Sequence, residues 1–259
     1  MQIQFYKYQG AGNDFIILDN RNNTYNLTTA QINFLCDRKF GIGADGLMYI
    51  NSHPTLNFQM VYFNADGSES TMCGNGGRCI VKCAYDLGIL NSEAEFMAID
   101  GIHQATLITP EIVRLQMQNV SAIEQIDAKT FVLNTGSPHF VSFEEEVKNI
   151  DVYQEGYNIR HLERFEPKGI NVNFVEKKDH DLIVRTYERG VEDETLACGT
   201  GVTAAAIASA FGATGHFDIN VQAMGGALNV SFDAISPTEI QNIWLTGPAK
   251  FVFSGTIEL

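Results

Sequence analysis

Two Cys-Gly pairs, Cys73-Gly74 and Cys198-Gly199, each open a run of small and apolar residues, and similar segments flank both. The first cysteine lies 61 residues after Gly12, where GNDFIILD begins; the second lies 62 residues after Gly136, where GSPHFVSF begins. The two cysteines are 125 residues apart. A strand-like run and a polar acidic loop precede each, in FNADGSESTM and TYERGVEDETLA. Matched segments at matched separations mark an internal duplication. The 259 residues therefore read as two similar halves rather than one large domain.

Hydrophobic patterning predicts many strands and few helices. Runs at 15–18, 57–63, 105–108, 112–117, 131–133, 170–175, 182–186, 227–232 and 244–253 are rich in Val, Ile, Phe and Tyr and partly alternate, as half-buried strands do. Helices are predicted at 29–37, 76–87 and 201–211. The second carries the 3.6-period stripe Cys79, Ile80, Cys83, Ala84 and Leu87; the third, GVTAAAIASAF, is apolar on every side and must be buried all round.

A cysteine just before a helix start meets unsatisfied N–H groups and the positive end of the helix dipole. That setting favours thiolate. The following glycines, Gly74, Gly76 and Gly77 and then Gly199 and Gly201, clear space for backbone N–H groups to reach an anion. Two such starts around one ligand would place a thiolate and a thiol on opposite faces of a carbon, an arrangement suited to inverting it by proton transfer. Cys36, Cys79 and Cys83 fall on helical apolar faces and read as packing residues. The spacing of Cys73, Cys79 and Cys83 is unlike a zinc site, and CGNGG is neither a Walker nor a dinucleotide loop.

Composition narrows the partners. The net charge is −14 and the pI near 4.7, unsuited to the phosphate contacts of a nucleic-acid binder. No stretch approaches a membrane-spanning length, and MQIQFYKYQGAGNDF lacks the apolar run of a signal peptide. With an odd number of cysteines, five, the expectation is a cytoplasmic protein with reduced thiols.

Along its whole length the chain resembles the diaminopimelate epimerase family of pyridoxal-phosphate-independent racemases and epimerases. The motifs that carry the resemblance are GAGNDFIILD (10–19), GIGADG (41–46), FNADGSESTMCGNGGRC (63–79), NTGSPHFV (134–141), GINVNFV (169–175) and RTYERGVEDETLACGTG (185–201). The resemblance implies an α/β (α+β) fold of two pseudo-symmetric domains. Each is a mostly antiparallel sheet wrapped around a central helix, with the active site in the cleft between them. The expected boundaries are 1–122 with the last strand 250–259, and 123–249. The implied reaction interconverts LL- and meso-2,6-diaminopimelate without a cofactor, for lysine and peptidoglycan synthesis.

Site residues carry over by motif. Cys73 and Cys198 match the catalytic thiols, with Cys73 the donor and Cys198 the acceptor from LL to meso. Asn13, Asn64 and Asn171 match substrate contacts. Gly74, Asn75, Gly199 and Thr200 match the helix-start residues that hold the α-carboxylate. Glu188 and Arg189 match the pair of the ERG motif, Arg189 being suited to a forked contact with a distal carboxylate. His139 and Glu188 match residues that tune the thiols. A homodimer is implied, with Phe253 where an aromatic lies at the family's dimer contact.

The sequence departs from the family at three places. Ser137 stands where many members have Asn, Gly46 where some have Gln, and one extra residue lies between Glu188 and Cys198. That insertion sits among Glu192, Asp193 and Glu194, whose charges oppose a thiolate unless they point away, as expected here. On the residues alone, a proline racemase-like or other epimerase of the same fold and a non-catalytic amino acid-binding module also remain open.

Overall fold

The computed structural model describes residues 1–70 and 72–259. They divide into two units, Met1–Leu115 with Gly247–Leu259, and Gln116–Thr246.

The first unit contains β1 (Gln2–Gly10), β2 (Asn13–Asp19), α1 (Thr29–Cys36), β3 (Gly46–Asn51), β4 (Phe58–Asn64), β5 (Glu69–Ser70), α2 (Gly74–Asp86), β6 (Glu93–Ala98), β7 (Gly101–Thr109) and β8 (Ile112–Gln116). The second contains β9 (Ile123–Gln125), β10 (Thr130–Asn134), β11 (Pro138–Glu144), α3 (Val152–Arg160), β12 (Asn171–Lys178), β13 (Asp181–Glu188), β14 (Asp193–Thr195), α4 (Gly199–Ser209), β15 (Gly215–Ala223), β16 (Gly226–Ala234) and β17 (Ile240–Pro248). The chain ends with β18 (Lys250–Glu258), which belongs to the first unit.

The duplication is written in the strand pairing. In the first unit β1 and β2 are antiparallel, β2 and β3 parallel, and β3 and β4 antiparallel. β4 then pairs antiparallel with β5 and parallel with β6, and β6, β7 and β8 continue antiparallel. The second unit repeats each step, with β10 to β17 in the places of β1 to β8. Even the flanking strand matches: β18 lies antiparallel on β1, as β9 does on β10.

Each unit holds one helix inside its sheet and one outside. α2 packs against β1, β2, β3, β7 and β18, and every residue from Gly74 to Ala84 is buried. α4 packs against β10, β11, β12, β13, β15 and β16. Strands on all sides leave room only for small side chains, which accounts for Ala204, Ala205, Ala206 and Ala208, all buried. The outer helices seal the other face of each sheet. Ile32 and Leu35 of α1 join Ile16, Leu18, Leu47 and Tyr49 in one cluster, and Val152 of α3 joins Val172, Phe174 and Tyr187 in the other. Each such side chain contributes about 1.5–3 kcal/mol by leaving water.

Several elements differ from the sequence reading. Both central helices begin two residues earlier, at Gly74 and Gly199, because each cysteine is itself the N-cap, with extended backbone angles. α3 is an addition. So are β1, β3, β5, β6, β9, β11, β14 and β15. The run 244–253 is two strands, β17 and β18, broken at Ala249. No helix among the described residues is long and apolar enough to cross a membrane.

Candidate active site

In the first unit, Cys73 sits at the start of α2, where its carbonyl accepts the helix's first bond from Gly77 N–H at 2.7 Å. Beside it is Asn13, the first residue of β2. Asn13 Oδ1 accepts from Cys73 Sγ at 3.7 Å and from Asn75 Nδ2 at 3.4 Å, while Asn13 Nδ2 donates to Asp45 at 2.6 Å. A carboxylate only accepts, so the oxygen end of Asn13 must face the thiol. Asp45 is itself anchored: Arg38 bridges it and Asp14 at 2.7 Å each, and Lys7 reaches Asp14 at 2.8 Å. Burial alone would raise the Asp14 carboxyl, but Arg38 and Lys7 outweigh it and hold it at about 2.

Arg78 is a candidate that the sequence reading missed, bonded to the residues at the start of α2. It is fully buried one turn into α2. Its guanidinium donates to Gly74 O at 3.1 Å and Asn75 Oδ1 at 2.8 Å, clamping the helix start. Burial lowers its pKa, with Cys79 and Cys73 acting the other way. A buried arginine under the N-terminus adds to the positive field there. The signal for it was the arginine inside an otherwise small and apolar helix, CGNGGRCIV. Asn64 ends β4 and donates to Ser68 Oγ at 3.4 Å.

In the second unit, Cys198 occupies the same position at α4, its carbonyl accepting from Val202 N–H at 2.9 Å. Cys198 Sγ lies 3.4 Å from Thr200 Oγ1, and Thr200 Oγ1 lies 2.9 Å from His139 Nε2. Thr135 Oγ1 donates to Thr200 O at 2.8 Å and ties the helix start to the loop after β10. His139 is fully buried; burial, and then the charge of Arg189, pull it down to about 3, so it is neutral at physiological pH. Behind it, Asn173 Nδ2 lies 3.1 Å from His139 Nδ1.

Asn171 is also brought in. It pairs with His139 in the register of β11 and β12, and its Nδ2 donates to Ser137 Oγ at 2.6 Å and Pro138 O at 2.9 Å. Its Oδ1 accepts from Arg189 N–H at 2.9 Å. Ser137 thus serves to hold Asn171. Glu188 Oε2 accepts from Thr195 Oγ1 at 3.0 Å, and the Arg189 guanidinium donates to Lys168 O at 3.3 Å.

The acidic insertion is tied back by bases. Glu192 takes the left-handed conformation (φ 60°) and its carboxylate binds Arg160 at 2.6 Å; Glu194 binds Arg185 at 2.6 Å. The glycines correct one expectation. Gly76, Gly77 and Gly201 face the interior rather than a ligand. A methyl group on Gly76 would meet Met48 and Phe15, on Gly77 Leu115, and on Gly201 Asn173 Oδ1 at 2.3 Å. They allow strands to close on the helices. Cys36, Cys79 and Cys83 are buried, and burial pushes the first two to about 12 and the third higher still, so they remain protonated packing groups.

Comparison with known proteins gives the family and the fold. The family model of diaminopimelate epimerase matches residues 5–121 and 131–252. A diaminopimelate epimerase of Flavobacterium psychrophilum is 50% identical over 258 residues, covering 98% of this chain and all of the relative. One from Chlorobaculum tepidum is 43% identical, covering 96% and 99%. Among solved structures, a Bacillus anthracis phenazine biosynthesis protein of the PhzF family aligns over both whole chains with TM-score 0.72 at 16% identity. A hydroxyproline epimerase from Agrobacterium vitis aligns over 99% and 92% with TM-score 0.70 at 12% identity. The structural matches speak for the fold and the sequence matches for the chemistry: the chain belongs to the diaminopimelate epimerase family, and it is an isomerase.

Proposed function

We propose that Cys73 and Cys198 are the acid and base that exchange the α-proton between LL- and meso-diaminopimelate. The observation that carries this reading is their equivalence: each thiol-bearing residue is the N-cap of the inner helix of its unit, in matching places of a repeated topology. A base takes the proton from one face of the α-carbon and an acid returns one to the other, which is inversion. The acid of one direction is the base of the other, and a thiol, which can give or take a proton, suits both roles.

The chemical difficulty is the carbanion. An α-proton beside an ammonium and a carboxylate is a weak acid, and charge builds on the carboxylate as it leaves. The N–H groups at the first turns, from Gly74 and Asn75 and from Gly199 and Thr200, are donors without an intrahelical acceptor. Aimed at the carboxylate, they stabilise the developing charge with little reorganisation. The Arg78 charge adds to the field at α2. Asn13, Asn64, Asn171, Glu188 and Arg189 are assigned to reading the rest of the substrate, whose second amino acid head group needs both donors and acceptors. His139 acts on Cys198 through Thr200.

The test is stereochemical. Protein free of pyridoxal phosphate should convert LL-diaminopimelate to the meso form in D₂O with deuterium entering the α-position. Cys73→Ala and Cys198→Ala should each lose epimerisation by at least about 10³-fold, the loss of a general acid–base group. Full activity in either variant overturns the assignment.

The reading extends to a cytoplasmic homodimer. In support, β18 exposes Phe251, Val252 and Phe253 by 49, 49 and 43%, an apolar strip of the kind that interfaces cover. Light scattering on the wild type and on Phe253→Glu tests it; a monomeric wild type overturns it.

A further inference from the structure

Behind Cys198 runs a line of hydrogen bonds whose direction can be worked out from its far end. The links are Cys198 Sγ to Thr200 Oγ1 (3.4 Å), Thr200 Oγ1 to His139 Nε2 (2.9 Å), His139 Nδ1 to Asn173 Nδ2 (3.1 Å), and Asn173 Oδ1 to Thr186 Oγ1 (3.0 Å). Ring and amide orientations follow from what each neighbour can do.

The Phe140 carbonyl can only accept. It lies 3.0 Å from one end of the Asn173 amide, so that end is the NH₂ group. The same nitrogen faces His139 Nδ1. One of its hydrogens goes to Phe140 O and the other to Nδ1, which must then be the bare nitrogen of the ring. His139 is neutral and carries a single N–H, which falls on Nε2 and points at Thr200 Oγ1. The Thr200 hydroxyl receives that bond, so its own hydrogen is directed away from the ring, and Cys198 Sγ is the neighbour at 3.4 Å. A donor aimed at sulfur favours thiolate over thiol.

We propose that Asn173 is a positioning residue of the epimerisation: by fixing the His139 tautomer it turns the Thr200 hydroxyl toward Cys198 and holds that sulfur as the resting base. This rests on the assignment of Cys198 as an acid–base group. The geometry is supported on every side. Asn173 pairs with Thr186 in the register of β12 and β13, which places the Thr186 hydroxyl on its oxygen. Gly201 is the only residue type that admits this amide, because a methyl group there would come within 2.3 Å of Asn173 Oδ1. Cys73 offers a contrast, since its neighbour Asn13 presents an oxygen that takes the S–H hydrogen. Arg189, the charge that acts on the His139 ring, and Glu188 at the end of β13 are unchanged in every variant below.

Three measurements test the proposal without requiring turnover. Long-range ¹H–¹⁵N spectra of histidine-labelled wild-type protein should show His139 with a bare Nδ1 and a protonated Nε2 from pH 5 to 9. The pH dependence of iodoacetamide alkylation, read by mass spectrometry at the Cys198 peptide, gives the thiolate titration, with Cys73 as internal reference. In Asn173→Asp the new carboxylate accepts from Nδ1–H, the ring proton moves, and Thr200 donates to the ring instead. The Cys198 titration should rise by about one pH unit, an alkylation rate roughly tenfold lower at acidic pH. In a Thr200→Val background the same substitution should shift Cys198 by much less, whereas a through-space effect of the added charge would persist. An Nδ1–H tautomer in the wild type, an unmoved Cys198 titration, or a shift that survives in Thr200→Val overturns the proposal. If Cys198→Ala keeps full activity while the titration behaves as stated, it is the catalytic assignment that fails, not the hydrogen-bond direction.

Discussion

His139 is a histidine that does not titrate where histidines usually do. Burial and the nearby Arg189 hold it at about 3, against about 6.5 in an unfolded chain. Across pH 5–9 its ring resonances should not move, and no acid limb of the activity profile should belong to it. The sign for stability follows. The unfolded chain takes up this proton near pH 6.5 and the folded protein does not until about 3, so stability falls as pH drops through that window. Denaturant melts at pH 7 and 5 should show the loss, and His139→Gln should reduce it. Gly201→Ala makes a second prediction at this scale. Its Cβ meets Asn173 Oδ1 at 2.3 Å, so about 1–3 kcal/mol should be lost in urea unfolding. The two cysteines were legible in the sequence because a helix start is a local pattern. Asn173 was not, because its partners His139 and Thr186 are 34 and 13 residues away. One clue was present: Asn171 and Asn173 alternate within an apolar strand, placing two amides on one face.

At the scale of elements, α3 shows why a helix can be hidden in sequence. VYQEGYNIR has β-branched residues and a central glycine, and its apolar stripe is thin. The glycine is there for packing: a methyl on Gly156 would sit 2.3 Å from Tyr187 Cβ. Gly156→Ala should therefore destabilise by about 1–3 kcal/mol, although in an exposed helix the same change stabilises by roughly 0.5–1 kcal/mol. A thermal melt decides the sign. α1 was more legible, since its start carries a capping box of Thr28 and Gln31. Thr28→Ala should cost about 1 kcal/mol. The run 244–253 concealed a strand break because Ala249 continues the apolar pattern; its N–H leaves the ladder and bonds Glu111 O at 2.9 Å.

At the scale of the whole molecule, the spacing of two Cys-Gly pairs announced a duplication that the pairing of β1–β8 and β10–β17 repeats strand for strand. What spacing does not reveal is which strand completes which sheet, because pairing between distant segments leaves no local pattern. β18 covers β1, with Phe253 edge-on to Phe5 at 5.8 Å and Phe251 edge-on to Tyr8 at 5.5 Å. Removing 250–259 strips that cover. The truncated chain should lose the hydrogen-exchange protection of β1 and β2, while β11 to β13 keep theirs.

That last strand also sets an order of events during synthesis. Gln116–Thr246 is one continuous stretch and can close its sheet while translation is still under way. Met1–Leu115 emerges first, yet lacks its ninth strand until residue 258 has left the ribosome. The half made first is thus finished last, and its open edge along β1 must be kept from wrong partners for the whole time the other half is being made.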